Sequence, residues 1–184
     1  YEGEFTGLPL GYYLIDSSLG SLCTLDSTNK NVTVTEKNER PTHTKDIPDP
    51  SGLKVGDAVE YKVVVNAKRG AINYKVTDTM TNLTFNADSL KVQHKDAEGK
   101  LVDYPSTKYT LTAEESGFTL EFDNEYIKTL TDGLEVGESH DITVTYTGTI
   151  TAAALKEDKI NNTATLYFGD KGTPDSDEPT PVET

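Results

Sequence analysis

The feature that most limits what this chain can fold into is a two-residue hydrophobic alternation that begins near residue 58 and recurs to residue 168. Val59, Tyr61, Val63 and Val65 alternate with Glu60, Lys62 and Asn66 after a turn at Gly56-Asp57. In an extended chain successive side chains point to opposite faces, so the pattern sets one face on a core and the other in water. Ile72, Tyr74 and Val76 open a second strand, and Leu90 and Val92 lie in a third. Tyr109 and Leu111, then Phe118, Leu120 and Phe122, mark two more, joined through Glu114-Glu115-Ser116-Gly117 as a hairpin. Ile142, Val144, Tyr146 and Ile150 line the next strand, and Ala164, Leu166 and Phe168 the last. Helix is confined to residues 124–130 and 151–156, a turn or two each, too short to build a layer. Many strands at this spacing with short turns predict an all-β, immunoglobulin-like β-sandwich rather than an α/β arrangement.

The sandwich is expected to occupy residues 41–170. Glu36-Lys37-Asn38-Glu39-Arg40-Pro41 is charged and ends at a proline, and the chain from Gly169 onward is a Pro, Asp and Glu run without an apolar stripe. Residues 171–184 are therefore expected to be a linker to a further domain. Residues 1–40 form a separate piece, in which 7–15 and 31–35 read as two strands around a Ser-rich loop. Tyr1 starts in mid-pattern, with no basic and then apolar leader, as expected of a part excised from a longer protein. Lys and Arg total 17 against 31 Asp and Glu, and the net charge of -14 argues against nucleic acid or an anionic membrane as partner. No apolar stretch of about 18 residues is present to span a bilayer. The single cysteine, Cys23, has no internal disulfide partner, and the Thr- and Tyr-rich strands without Trp suit a secreted β-protein.

Three polar residues fall on faces that the alternation assigns to the core. Asp78 shares parity with Ile72, Tyr74, Val76 and Met80, Asn162 with Ala164, Leu166 and Phe168, and Lys45 with Ile47. Burying such groups costs roughly 1–3 kcal/mol each when they lack partners, and more when they are charged. One reading is an Asp–Lys ion pair at a sheet rim beside a hydrogen-bonded Asn. The other is an intramolecular amide: desolvation favours neutral amine and neutral acid, and the acid can then polarise the carboxamide and carry a proton to the departing nitrogen. Asn161 has the opposite parity and stands second to Asn162. Lys54, in the turn before Gly56, stands in reserve for Lys45.

Other residues suggest less. His43, His94 and His140 lack metal-ligand spacing and read as surface or edge histidines, so no metal is expected. Asp170, Asp175, Asp177 and Glu178 lack the spaced ligands and glycine of a calcium loop and read as solvated linker. Asn31, Asn82 and Asn161 begin Asn-x-Ser/Thr triplets, which arise by chance and carry little meaning by themselves. There is no Gly-x-Ser-x-Gly elbow, Cys23 has no basic neighbour in sequence, and the glycines read as turn residues rather than a phosphate cradle. No cofactor is expected, nor any reaction on an outside substrate.

Four segments, in order, resemble the isopeptide-forming middle domain of Gram-positive, sortase-assembled fimbrial major subunits. They are Pro41-Thr42-His43-Thr44-Lys45-Asp46-Ile47, Val55-Gly56-Asp57-Ala58-Val59-Glu60-Tyr61, Tyr74-Lys75-Val76-Thr77-Asp78-Thr79-Met80 and Asn162-Thr163-Ala164-Thr165-Leu166-Tyr167-Phe168-Gly169-Asp170. The resemblance implies a collagen-adhesin A-type sandwich, a Lys45–Asn162 isopeptide bond and Asp78 as its catalyst, acting in a single intramolecular turnover. Through Gly7-Leu8-Pro9-Leu10-Gly11-Tyr12-Tyr13, residues 1–40 resemble the closing strands of a preceding B-type domain. Asp16 and Ser17 stand where such domains often carry a catalytic Glu, and no bond is expected there. The implied role is that of a pilus shaft at the cell wall, outside the cell, with neighbouring pilin subunits as partners and host surface or matrix components as a further class. The alternative is the stalk or ligand-binding module of a wall-anchored adhesin, in which loops such as 95–108 would matter. The sortase lysine and the Leu-Pro-x-Thr-Gly signal of the family are not in this sequence, and Leu8-Pro9-Leu10-Gly11 is not that signal, so assembly chemistry is expected outside it.

Overall fold

The computed structural model describes residues 5–15, 21–25, 27, 31–32, 40–46, 52–157, 159–170 and 180–182. Near the N-terminus β1 (Gly11–Ile15) pairs antiparallel with β2 (Ser21–Leu25), Tyr13 lying opposite Cys23. This differs from the expectation of a strand at 31–35. Asn31 and Val32 are outside any strand, residues 33–35 lie outside the described residues, and the partner strand comes instead from the Ser-rich segment. A hairpin closed over residues 16–20 restricts less chain than one closed over 16–30, which favours the nearer strand.

The remaining elements are β3 (Thr42–Asp46), β4 (Ala58–Ala67), β5 (Ala71–Thr81), β6 (Leu83–Lys95), β7 (Leu101–Asp103), β8 (Tyr109–Glu114), β9 (Gly117–Phe122), α1 (Asn124–Thr131), β10 (His140–Ile150), α2 (Ala154–Glu157), β11 (Asn161–Asp170) and β12 (Thr180–Val182). They form two five-stranded antiparallel sheets, ordered β3-β4-β10-β6-β7 and β12-β11-β5-β9-β8. The all-β, immunoglobulin-like class is as the alternation predicts. Val59, Tyr61, Val63 and Val65 face Tyr74, Val76, Leu120, Leu166 and their neighbours, and all of them are buried. The two helices stay small. Asp123 caps α1 by accepting the Tyr126 N–H at 2.7 Å, and Ile127 is its core anchor.

Three further short elements go beyond the sequence reading. The 95–108 loop contains β7 and a single 3-10 turn at Ser106–Lys108. In the segment read as linker, β12 pairs with β11, Val182 opposite Ala164. One irregularity matters for the site: along β10 the ladder to β6 breaks at Tyr146, with Thr145 opposite Lys91 and Thr147 opposite Asn86. The Thr147 N–H is taken up by Ser89 Oγ at 2.8 Å instead. Such breaks bend a strand and re-aim its side chains.

The β8–β9 hairpin closes against β5 at the level of Asp78. Ser116 O accepts the Met80 N–H at 2.8 Å and Glu115 O the Phe85 N–H at 2.9 Å. Gly117, with φ 149°, lies so close that a Cβ there would stand 1.9 Å from the Asp78 carbonyl oxygen. Only a residue without a side chain fits. Gly117→Ala is expected to destabilise the domain by on the order of 3 kcal/mol, through backbone strain and displacement of β9 from β5. Urea unfolding would measure the loss, with hydrogen exchange rising first at Met80 and Phe85.

Candidate functional site

Lys45, Asp78 and Asn162 come from three strands in two sheets, and the fold brings them together. β3 pairs antiparallel with β4 along the edge of one sheet. The arch at 68–70 then reverses the chain into β5 of the other sheet, and β11 runs antiparallel to β5. β3 and β11 therefore cross the sandwich in opposite senses. The His43 Nε2–H donates to the Ala164 carbonyl at 3.3 Å, which fixes their register. Two residues onward along β3 is Lys45, and two residues back along β11 is Asn162. Asp78 pairs with Ala164 across the β5–β11 ladder and so lies beside both. Relative exposures are 7% for Lys45, 3% for Asp78 and 2% for Asn162, so the inward parity read from the sequence describes all three.

Lys45 Nζ donates to Asp78 Oδ2 at 2.9 Å, both side chains being wholly removed from solvent. The Tyr146 hydroxyl donates to the same Oδ2, and Asn162 Nδ2 donates to the Tyr146 oxygen at 3.5 Å. Asp78 Oδ1 has no partner in hydrogen-bonding geometry. Aromatic rings close the surroundings: Lys45 Nζ lies 5.2 Å from the Tyr61 ring centre and 6.0 Å from that of Tyr146. Tyr61 and Tyr146 stack at 5.7 Å, and Phe118 meets Tyr146 edge-on at 4.9 Å.

Desolvation dominates the electrostatics. It lowers the Lys45 pKa from its ordinary value even though Asp78 opposes it, and it raises the Asp78 pKa against the combined pull of Lys45, Tyr146 and Asn162. Both shifts favour the uncharged forms. Burial, with a contribution from Asp78, pushes the Tyr61 phenol up to about 12 and raises that of Tyr146 as well. The phenols therefore stay protonated. An uncharged amine, a carboxylic acid and a carboxamide held together out of water are the ingredients for amide exchange.

The other candidates separate cleanly. Lys54 is exposed in the turn, where its own N–H donates to Asp57 Oδ2 at 2.8 Å. Asn161 sits on the other face of β11, half-buried, its Nδ2 donating to Thr163 Oγ1 at 3.5 Å. Of the histidines expected at the surface or an edge, His43 lies on the edge strand β3, but burial corrects the surface reading. His43 and His94 are buried, and His94 Nδ1 and His140 Nε2 share a hydrogen bond at 3.1 Å, beside Tyr126. Strand pairing of Ile142 with His94 brings together residues that sequence spacing keeps apart. Among the described residues no group of three or more His, Cys, Asp or Glu could hold a metal ion. Asp175, Asp177 and Glu178 lie outside the described residues, as does the Asp170 side chain. The residue that sequence reasoning missed is Tyr146, read there only as a core position. Its signal was present: a phenol at inward parity carries a hydroxyl that needs a partner.

No protein-family model and no curated protein matches the sequence. Solved structures do. The pilus backbone RrgB of Streptococcus pneumoniae is 25% identical with a TM-score of 0.61, over 74% of this chain and 55% of that one. Its fold is that of a Gram-positive pilus backbone protein. A form of BcpA, the major pilin subunit of Bacillus cereus, matches over 97% of this chain and 52% of that one, at 19% identity and a TM-score of 0.56. The collagen-binding subdomain of the Enterococcus faecalis surface protein ACE matches over 80% of this chain and 96% of that one, at 15% identity and a TM-score of 0.53. The pilin-like chain thus spans about half the length of the first of these backbones, and 29% of full-length RrgB. Among the described residues no helix is long and apolar enough to cross a membrane.

His43 gives the site a pH dependence of known sign. Burial lowers its pKa below the ordinary 6.5, outweighing the Ala164 hydrogen bond that raises it, and Lys45 lowers it further. Below about pH 6.5 the unfolded chain takes up a proton that the folded chain refuses, so stability falls as pH drops through that range toward the folded value. His43→Gln, which keeps an N–H donor, is expected to lose less stability than the wild type between about pH 7 and pH 5. Melting temperatures of the two proteins across that range would show it.

Proposed function

We propose that this chain is a structural segment of a cell-wall-anchored pilus shaft, with its sandwich over residues 41–170 locked by a self-made amide between Lys45 and Asn162. One observation carries the reading. A lysine on β3 and an asparagine on β11, strands of opposite sheets, meet at one buried acid, Asp78, in a pocket of aromatic rings. Uncharged Lys45 Nζ attacks Asn162 Cγ, while protonated Asp78 polarises the carboxamide oxygen. A proton then passes from the former amine to Asn162 Nδ2, ammonia leaves, and the Nζ–Cγ amide remains. Nothing else is consumed, and the acid is returned to its starting state. Proximity replaces the reactivity that a carboxamide lacks.

The bond would tie β3 to β11, so tension along the fibre would pass through a covalent link instead of shearing ladder hydrogen bonds. The solved structures of similar fold include pilus backbones and a collagen-binding subdomain, which supports a shaft or adhesin-type role at the surface of a Gram-positive cell. The inward-facing trio favours the shaft. Residues 1–40 would belong to a preceding domain, 171–184 would lead toward a following one, and neighbouring pilin subunits would be the partners.

Intact-protein mass tests the reading directly. The wild type is expected to be one ammonia lighter than its sequence, and Lys45→Ala, Asn162→Ala and Asp78→Ala are expected to have full mass. Loss of the bond should lower stability by about 4–5 kcal/mol on the loop-entropy scale for a long closed loop, and should open the domain to protease. An unmodified wild-type mass would reduce the trio to a buried ion pair.

A further inference from the structure

We infer that Tyr146 is the second half of the proton path, handing the proton from Asp78 to the nitrogen that leaves as ammonia. The inference rests on the reading of the trio as an amide-forming site. Its ground is the position of one hydroxyl: Tyr146 OH donates to Asp78 Oδ2, the atom that also receives Lys45 Nζ at 2.9 Å, and accepts from Asn162 Nδ2 at 3.5 Å. The phenol oxygen thus bridges the acid to the leaving group, and a continuous line runs Nζ, Oδ2, phenol oxygen, Nδ2.

The step balances along that line. As Nζ attacks Cγ, Asp78 gives its own proton to the carboxamide oxygen, and Nζ, now carrying an extra proton, passes it to Oδ2 of the resulting carboxylate. In this tetrahedral adduct Nδ2 has a free lone pair, so Asp78 passes the proton from Oδ2 to the phenol oxygen as the phenol's own proton moves to Nδ2. The Cγ–Nδ2 bond breaks, ammonia leaves with its electron pair, and the proton on the carboxamide oxygen returns to Asp78 as the carbonyl re-forms. Asp78 and Tyr146 end as they began. Oδ2 already holds Lys45 and the phenol, so the phenol oxygen gives the proton a route from that atom to Nδ2.

The fold keeps the hydroxyl in place. Tyr146 is buried and clamped by rings, stacked on Tyr61 and met edge-on by Phe118 and by Phe85 at 6.1 Å. The β10–β6 ladder breaks at this residue. Burial raises the phenol pKa, so the proton is retained at neutral pH.

Tyr146→Phe keeps the ring and removes the oxygen. If the path is correct, the variant folds but becomes one ammonia lighter at least about a hundredfold more slowly, the lower range for a lost acid–base group. Tyr104→Phe, which removes a buried hydroxyl that has no hydrogen-bond partner elsewhere in the core, serves as the control and should cross-link at the wild-type rate. A Tyr146→Phe protein that cross-links as fast as the wild type overturns the relay and leaves the amide reading intact. A wild type of full mass overturns the amide reading itself. Should Tyr146→Phe not fold, a difluorotyrosine placed at position 146 provides the readout. Its more acidic phenol should move the alkaline limb of the rate–pH profile to lower pH, whereas an unmoved limb would reject the relay.

Discussion

Burial of the Lys45–Asp78 pair is the constraint to which the rest of the sandwich answers. Taking a carboxylate and an ammonium out of water costs several kcal/mol per ion, and their mutual attraction repays that only with very good geometry. Lys45 and the Tyr146 hydroxyl both reach the same carboxylate oxygen, and the other oxygen has no hydrogen-bond partner among the described residues, which is not the full satisfaction that a purely structural pair would need. Neutralisation is the cheaper response, and the pKa directions of both groups agree with it. The interior would then hold an uncharged amine beside a carboxamide, and the proposed amide would consume both of those buried polar groups. The aromatic walls follow from the same requirement. Tyr61, Phe85, Phe118 and Tyr146 fill the volume around the trio and keep water out.

β3 is where this chemistry would matter mechanically. It is five residues long and, among the described residues, forms its one ladder with β4. An edge strand with one ladder is the element that peels first when a chain is pulled from that end. Across the sandwich it is attached through His43 to the Ala164 carbonyl and through Lys45 to Asp78. In the proposed shaft these crossings lie near the two places where force would enter and leave the domain. A covalent link there would take the load off every strand between them. Of these two residues of β3, His43 sets the register and Lys45 would supply the nucleophile of the proposed reaction.

Much of this could be read from parity alone. β5 alternates strictly from Tyr74 to Thr81, so the inward aim of Asp78 followed from Tyr74 and Val76, and β11 placed Asn162 in the same way. Lys45 was harder, because β3 is short and Thr-rich. Its assignment leaned on Ile47, which lies outside the described residues. What alternation could not supply was contact between residues distant in the chain. The His94–His140 pair depends on the β6–β10 ladder, and the role of Tyr146 depends on its hydroxyl meeting an acid 68 residues away in sequence. β2 and β12 went unread for a different reason. Short strands carry too few alternations to stand out from a Ser-rich or Pro-rich background.

Likeness of fold leaves function open, since one sandwich architecture serves shafts and ligand-binding modules alike. The direction in which the unusual residues face is more informative. A module that recognises a partner must present its distinctive groups outward, or line an open groove with them. Here the distinctive groups are among the least exposed residues in the protein, walled in by aromatic rings and held by strands from both sheets. Nothing outside can reach them without unfolding the domain. In the proposed reading, chemistry at Lys45, Asp78 and Asn162 would act on the chain itself, and its consequence would be the mechanical and proteolytic endurance of that chain.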